Sequence, residues 1–128
     1  MSVHFSSFTD DWKTPDSLFK KLNEEFNFDH DPCPLKGFNG LVAPWGKRNF
    51  VNPPYSQLKE WCKKGYEESL KDKLVVMLIP SRTDTAAWHD YCMKADEIRF
   101  IRGRLKFGGS KNSAPFPSAI IIFLGKYI

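Results

Sequence analysis

The feature that most constrains the fold is an unbroken apolar run in the middle of the chain, LVVMLI at residues 74–79, bounded by Lys73 and Pro80. An uninterrupted run of this length is typical of a strand that is covered on both faces. Such a strand needs other layers of secondary structure on each side of its sheet. The run therefore predicts a central strand in an α/β domain.

Helical and extended patterns alternate on both sides of this run. Thr14 is predicted to cap a first helix with Pro15 at its first position, and Ser56 to cap a second helix. Strands are predicted to end at Asp31, since Pro32 follows, and over residues 48–51. The remaining predicted elements are a third helix over 86–92 and strands over 97–107 and 118–124, joined by a loop at 108–117.

This order predicts a small, shortened α/β sheet that is mostly parallel and carries an antiparallel C-terminal strand pair. Residues 32–51 leave room for at most one parallel crossover, which takes about a dozen residues. Asp31, Asn52 and Arg82 each follow a predicted strand, so they are expected at one edge of the sheet, where α/β proteins bind ligands. We expect residues 11–128 to form this domain, after a loose arm at residues 1–10.

The bulk composition limits the possible environments and partners. The formal net charge is +4, which is compatible with a polyanionic partner. No apolar run approaches the roughly 20 residues that span a bilayer, and the first residues lack the layout of a signal peptide, so we expect a cytoplasmic protein. The three cysteines and three histidines are too scattered to predict a disulfide framework or a zinc site.

The tetrapeptide Asn52-Pro53-Pro54-Tyr55 carries the clearest chemical signal. The amino group of adenine is a poor nucleophile, because its lone pair is delocalised into the ring. Acceptors placed against its two N–H bonds, the side-chain oxygen of Asn52 and the carbonyl of Pro53, would free that lone pair. The prolines make the segment stiff, and Tyr55 offers a flat face for a base. The alternative is an ordinary turn, for which Asn-Pro and Pro-Pro are common.

Two other residues at predicted strand ends have competing interpretations. A carboxylate at Asp31 would accept from an α-amino group of a bound ligand, or would cap a turn, and Asp29 competes for either role. Arg82 would contact a DNA phosphate, or would pair structurally with Asp84 or Asp31.

Basic residues recur towards the C-terminus, and Phe107 and Phe116 lie among them. Alternation along an extended strand places Arg102, Arg104 and Lys106 on one face. A basic hairpin with aromatic residues suits DNA, and the alternative is a solvated sheet face. The full set of basic residues is Arg99, Arg102, Arg104, Lys106 and Lys111.

Several ordered segments together resemble the phage-associated DNA N6-adenine methyltransferases, over residues 11–123. These segments are WKTP (12–15), DHDPC (29–33), NPPYS (52–56), PSRTDT (80–85), RGRLKFG (102–108) and APFPSA (114–119). The resemblance implies a Rossmann-like methyltransferase with S-adenosylmethionine as methyl donor. It also implies that the enzyme is adenine-specific and acts at specific DNA sites. A phage or prophage origin would place it in a bacterial host cell.

The resemblance also implies roles for individual residues. Thr14 and Pro15 contact the methionine end of the donor, and Asp31, Pro32 and Cys33 begin the donor-binding loop. Asn52, Pro53, Pro54 and Tyr55 hold the amino group of a base flipped out of the DNA stack. DNA binding is assigned to Ser56, Arg82, Arg102, Arg104, Lys106 and Phe107.

The sequence departs from the family pattern in its donor-binding region and in its target recognition, and two alternative functions are open. The donor-binding region is short and has no Gly-x-Gly loop after Asp31, and no separate target-recognition domain is visible. Selectivity would then come from short loops or from a second subunit in a homodimer, and we expect it to be relaxed. The alternative functions are a catalytically silent DNA-binding relative and a methyltransferase that acts on a glutamine amide in proteins.

Overall fold

The computed structural model describes residues 13–33, 39–107 and 113–125. The predicted arm at residues 1–10 and Lys111 lie outside the described residues. None of the described helices is both long enough and apolar enough to cross a bilayer. The helices are α1 (Asp16–Phe26), α2 (Leu58–Ser69) and α3 (Ala86–Asp90), and the strands are β1 (Arg48–Val51), β2 (Leu74–Pro80), β3 (Glu97–Phe100) and β4 (Ser118–Phe123). Single 3-10 turns cover Tyr55–Gln57 and Cys92–Lys94.

The four strands form one sheet in the order β1-β2-β4-β3. Strands β1 and β2 are parallel and are joined by α2, whereas β4 is antiparallel to both of its neighbours. The sheet is therefore mixed, and the prediction of a mostly parallel sheet is wrong. The antiparallel pairing of the last two strands is confirmed, and β4 lies between β2 and β3.

Strand β2 is the centre of the structure, as the apolar run at residues 74–79 predicts. All seven of its residues are buried. Val75, Met77 and Ile79 belong to one apolar cluster with residues of α2 and α3. Val76 and Leu78 belong to a second cluster on the opposite face, together with residues of α1. Burial on both faces accounts for the absence of polar residues from this strand.

The predicted strand ending at Asp31 is reduced to one parallel bridge, between His30 and Asn49 of β1. The backbone N–H of Asp29 donates to the carbonyl of Arg48 at 2.9 Å, and that of Phe50 donates to the carbonyl of His30 at 3.1 Å. The pairing stops there because Pro32 follows and has no N–H to contribute to a ladder. The segment nevertheless extends the β1 edge of the sheet in the expected direction.

Strand β3 ends at Phe100, well before the predicted end at residue 107. Gly103 has a φ of 72°, in the left-handed region, so the backbone turns away from the extended path. Arg102, Arg104 and Lys106 are exposed, but they do not alternate along a strand as predicted.

The predicted helix caps also differ from those in the structure. Helix α1 has Pro15 at its N-cap position without a side-chain cap, so Thr14 does not cap it. Ser56 lies within the 3-10 turn that precedes α2, and Gln57 occupies the N-cap position. A proline before Asp16 and a tight turn before Leu58 start the two helices in place of capping hydroxyls.

A buried carboxylate, Glu68, joins α2 to the segment that leads into β1 and to the start of β2. Its side chain is 1% exposed and accepts hydrogen bonds from Lys73 Nζ at 2.5 Å, Lys71 Nζ at 3.0 Å and the Trp45 N–H at 3.1 Å. Lys64 Nζ lies 3.3 Å away. Burial alone would raise the pKa of Glu68, but the hydrogen bonds from Lys73 and Lys71 outweigh it and lower the pKa to about 2.

The low pKa of Glu68 predicts a defined acid sensitivity. Because this pKa lies below the ordinary 4.5, the stabilisation is present above pH 4.5 and is lost as the pH falls towards 2. Glu68→Gln should lower the free energy of unfolding at neutral pH by about 3 kcal/mol, since it leaves the ammonium groups without their carboxylate. Urea unfolding at several pH values would measure both effects.

The control is Glu67→Gln, an exposed neighbour on the same helix. It should leave the free energy of unfolding nearly unchanged. Equal losses of stability between pH 4.5 and pH 2 in the wild type and in Glu68→Gln would contradict this account of Glu68.

Candidate active site at the carboxyl edge of the sheet

The register of the strands brings several separate segments to one edge of the sheet. Strands β1 and β2 are parallel and end at this edge, and β4 begins there, with Pro80 opposite Ser118. The Ser81 N–H donates to the Pro117 carbonyl at 2.9 Å, and the Ile101 N–H donates to the Ser118 carbonyl at 3.1 Å. The residues after β1, β2 and β3 therefore meet the residues before β4.

Asn52, directly after β1, is held by Thr14, which lies 38 positions earlier in the sequence. Its Nδ2 atom donates to Thr14 Oγ1 at 3.1 Å, and its Oδ1 atom is buried. An amide that donates from Nδ2 directs its oxygen to the opposite side, so this bond sets how the group is turned. Thr14, predicted to contact a methyl donor, thus also positions the first residue of the tetrapeptide.

The two prolines that follow differ in how their carbonyls are used. Pro54 is extended, with φ −64° and ψ 133°, and its carbonyl accepts the Gln57 N–H at 3.2 Å. None of the described residues donates to the carbonyl of Pro53. Pro53 is itself buried and stiff, so its carbonyl is a fixed acceptor next to Asn52.

Tyr55 forms an aromatic contact across the edge of the sheet. Its ring meets Phe116 edge to face at 5.2 Å, and Phe116 in turn lies 6.1 Å from Phe107. Burial raises the pKa of the Tyr55 hydroxyl, and the nearby charge of Arg82 opposes the rise only in part. The Tyr55 hydroxyl is buried and has no hydrogen-bond partner among the described residues.

The structure separates the two phenylalanines of the C-terminal region. Phe107, predicted to bind DNA, is 2% exposed and packs in the apolar cluster with Leu22 and Phe50. Phe116, predicted only as one of two aromatic residues among the basic residues of the C-terminal hairpin, contacts Tyr55 at the edge. A sequence signal was present, because Phe116 stands between two prolines, Pro115 and Pro117, that stiffen its loop.

Asp31 and Asp29, which the sequence left as competitors, have distinct surroundings. Asp29 Oδ1 accepts the Arg48 N–H at 3.0 Å, which ties the segment to β1. Asp31 Oδ1 accepts the Cys33 N–H at 2.9 Å in a tight turn. Asp31 is exposed, yet the protein atoms around its carboxyl group raise its pKa in spite of the Cys33 hydrogen bond. Asp31 is therefore the carboxylate at the edge whose charge a bound cation would stabilise.

Gly40 is a residue at this edge that the sequence did not single out for its packing. A side chain there would collide with the carbonyl of Pro32 and with the ring of Trp61, 2.7 Å away, so only glycine allows the approach. The Gly40 carbonyl accepts the Trp45 Nε1–H at 2.6 Å. The close approach of Gly40 to Pro32 brings the backbone at residue 40 next to the predicted donor-binding segment.

The basic residues divide into a structural group and an exposed group. Arg99 pairs with Glu25 at 2.6 Å and with Glu97 at 2.7 Å, and it lies over the ring of Phe26. Arg82 is exposed, and its guanidinium lies 5.9 Å from the centre of the Phe116 ring. Within the described part of the chain Arg82 forms no ion pair with Asp84 or Asp31, so the structural alternative for it is not what the structure shows.

These observations define a class of protein: a small α/β protein with a mixed sheet and a polar site at the carboxyl edge of its parallel strands. A family model described as DNA N-6-adenine-methyltransferase (Dam) matches residues 2–126. The chain therefore belongs to the Dam family, whose named activity is methylation of adenine N6 in DNA. No curated protein sequence and no solved structure gave a significant match.

The buried hydroxyl of Tyr55 is expected to lower the free energy of unfolding, because it has no hydrogen-bond partner among the described residues. Tyr55→Phe removes a polar atom that lacks a partner and keeps the ring, so we expect the free energy of unfolding to rise by about 1 kcal/mol. Tyr66→Phe, whose hydroxyl is not buried without a partner, should not increase it. A loss of stability in Tyr55→Phe, measured by urea unfolding, would show that the hydroxyl is hydrogen-bonded after all.

Proposed function

We propose that this chain transfers a methyl group from S-adenosylmethionine to N6 of adenine in DNA, with Asn52-Pro53-Pro54-Tyr55 as the catalytic segment. The observation that carries the proposal is the geometry around Asn52. Its amide donates to Thr14, and the carbonyl of the next residue, Pro53, accepts from none of the described residues and is the second acceptor in this proposal. Membership of the Dam family supports the same reaction.

Two fixed acceptors address the chemical difficulty of the substrate. Oδ1 of Asn52 and the Pro53 carbonyl each accept one N–H bond of the adenine amino group. Together they draw the nitrogen away from the plane of the ring, so that its lone pair becomes available. Because the Asn52 amide is held by Thr14 and Pro53 is stiff, little reorganisation is needed in the transition state.

A base that enters the site must first leave the DNA stack. Tyr55 and Phe116, whose rings now touch edge to face, are the aromatic surfaces that receive it. Stacking on such a ring stabilises a base by roughly 1–3 kcal/mol. The base therefore separates the two rings, and Phe116 lies in the loop that joins β3 to β4.

The residues at the edge suit the methyl donor. S-adenosylmethionine, when bound, supplies an electrophilic methyl group, and its methionine end carries an ammonium. The Asp31 carboxylate is exposed at this edge, its pKa is raised by the protein atoms around it, and it is the group that would pair with such a cation. Thr14, Pro15, Pro32 and Cys33 flank Asp31 and Asn52 at the same edge, in keeping with a shortened Rossmann-like donor site.

The exposed cations suit DNA as the substrate. Arg82, Arg102, Arg104 and Lys106 are all exposed and follow β2 or β3 at the edge of the sheet that holds Asn52. Ser56 is exposed next to Tyr55. Such groups position the DNA backbone without reading its sequence. A catalytically silent DNA-binding relative would share these cations, so methyl transfer is the measurement that separates the two functions.

The proposal predicts that Asn52→Ala abolishes most methyl transfer. We expect the rate of transfer of labelled methyl to adenine N6 to fall about 100- to 1000-fold, the loss typical of removing one preorganised hydrogen-bonding group from an active site. Binding of DNA and of the donor, measured by anisotropy and calorimetry, should change little. Wild-type protein that binds DNA but transfers no methyl group would leave the silent relative as the function.

The raised pKa of Asp31 predicts a pH dependence of donor binding. The ammonium binds the ionised carboxylate, so affinity should fall as the pH falls through the pKa of Asp31. Because desolvation raises this pKa above the ordinary 3.8, the fall should begin at a higher pH than for an exposed aspartate. Calorimetric titrations should show the dependence in the wild type. An Asp31→Asn variant that binds the donor as tightly as the wild type at every pH would exclude Asp31 from the donor site.

A further inference from the structure

A cleft lies beside the proposed catalytic segment, between the start of α2 and the start of α3. Its volume is about 390 Å³, and Tyr55 forms part of its wall. Leu58, Pro80 and Ala87 supply apolar surface, and Ala86 lines it from the exposed side of α3. The proposed function assigns the amino group of adenine to Asn52 and Pro53, neither of which lines this cleft.

The chemistry of the cleft is that of a nucleotide site. The apolar surface and the Tyr55 ring suit the face of a base. Lys59 and Arg82 line the cleft and carry the positive charge that a phosphate requires. Glu60 also lines it, and a carboxylate there accepts from the exocyclic amino group of a base. A simple anion would leave the apolar surface unused, and a purely apolar ligand would leave Lys59, Glu60 and Arg82 unused.

We propose that this cleft receives the nucleotide next to the target adenine on the same DNA strand. This inference rests on the proposed function and extends it to substrate selection. Tyr55 lines the cleft and also touches Phe116, so it lies between the two base positions. A flipped adenine and its neighbour would then bind on separate surfaces of one residue, and the neighbour would contribute to sequence selectivity.

The test is a thermodynamic cycle between the cleft and the neighbouring base. Short single-stranded oligonucleotides with one adenine are compared with copies in which the nucleotide on either side lacks its base. Binding is measured by fluorescence anisotropy without the methyl donor. For the wild type we expect one of the two abasic positions to weaken binding roughly 5- to 150-fold, which corresponds to the loss of one stacked base.

Ala86→Phe places a ring in the cleft and should abolish this penalty, because the neighbouring base no longer enters. The matched control is Leu70→Phe, at an exposed position at the far end of α2, and it should keep the full penalty. Equal penalties in the wild type and in Ala86→Phe would overturn the inference, as would a wild type that tolerates both abasic positions.

A second comparison tests the phosphate contact. Lys59→Ala should reduce the slope of log affinity against log salt by about one, whereas Lys63→Ala, exposed on the same helix outside the cleft, should not. Equal slopes for the two variants would remove Lys59 from the site.

The outcomes remain distinguishable from those for the proposed reaction. The binding cycle requires no methyl transfer, so a wild type that shows the penalty but no transfer would retain the cleft and lose the enzyme. A wild type that methylates adenine equally well with either abasic neighbour would retain the enzyme and lose the cleft.

Discussion

The complete burial of β2 between two apolar layers is the constraint on which the rest of the structure depends. Each neighbour of β2 must align its own apolar residues with those layers, and a shift of one residue would turn them to the wrong face. The register of β1 therefore determines where Asn52 leaves the sheet, and the register of β4 determines where Phe116 approaches it. The geometry of the site is in this sense a consequence of core packing.

Two polar contacts then fix what the strands leave open. Thr14, before α1, accepts a hydrogen bond from the Asn52 side chain and so orients the proposed catalytic amide. At the opposite end of β1, Glu68 holds the backbone of Trp45 and the ammonium of Lys73. A buried carboxylate with several donors tolerates little displacement. Strand β1 is thus restrained at both ends, which suits a segment that must present acceptors without rearrangement.

The elements with local sequence signals were predicted correctly. The strand order of the sheet was not, because it depends on which distant strands pair. The apolar run at residues 74–79 and the strand before Asn52 were recognisable because burial leaves a direct trace in composition. The position of β4 between β2 and β3 left no such trace, since strand order depends on contacts between distant residues. The turn of the backbone at Gly103, beyond the end of β3, and the contact between Tyr55 and Phe116 both depend on loop conformations that periodicity does not encode.

The site is also where the structure departs most from the rules that govern the core. Tyr55 buries a hydroxyl without a partner among the described residues, and the exposed Asp31 has a carboxyl group whose pKa is raised by the protein atoms around it. In a protein selected for stability alone, the position of Tyr55 would accept phenylalanine. Departures of this kind are expected where groups are held ready for a ligand. In the proposed site, a base would pack against Tyr55 and a cation would pair with Asp31, and each would add an interaction that the described residues do not provide.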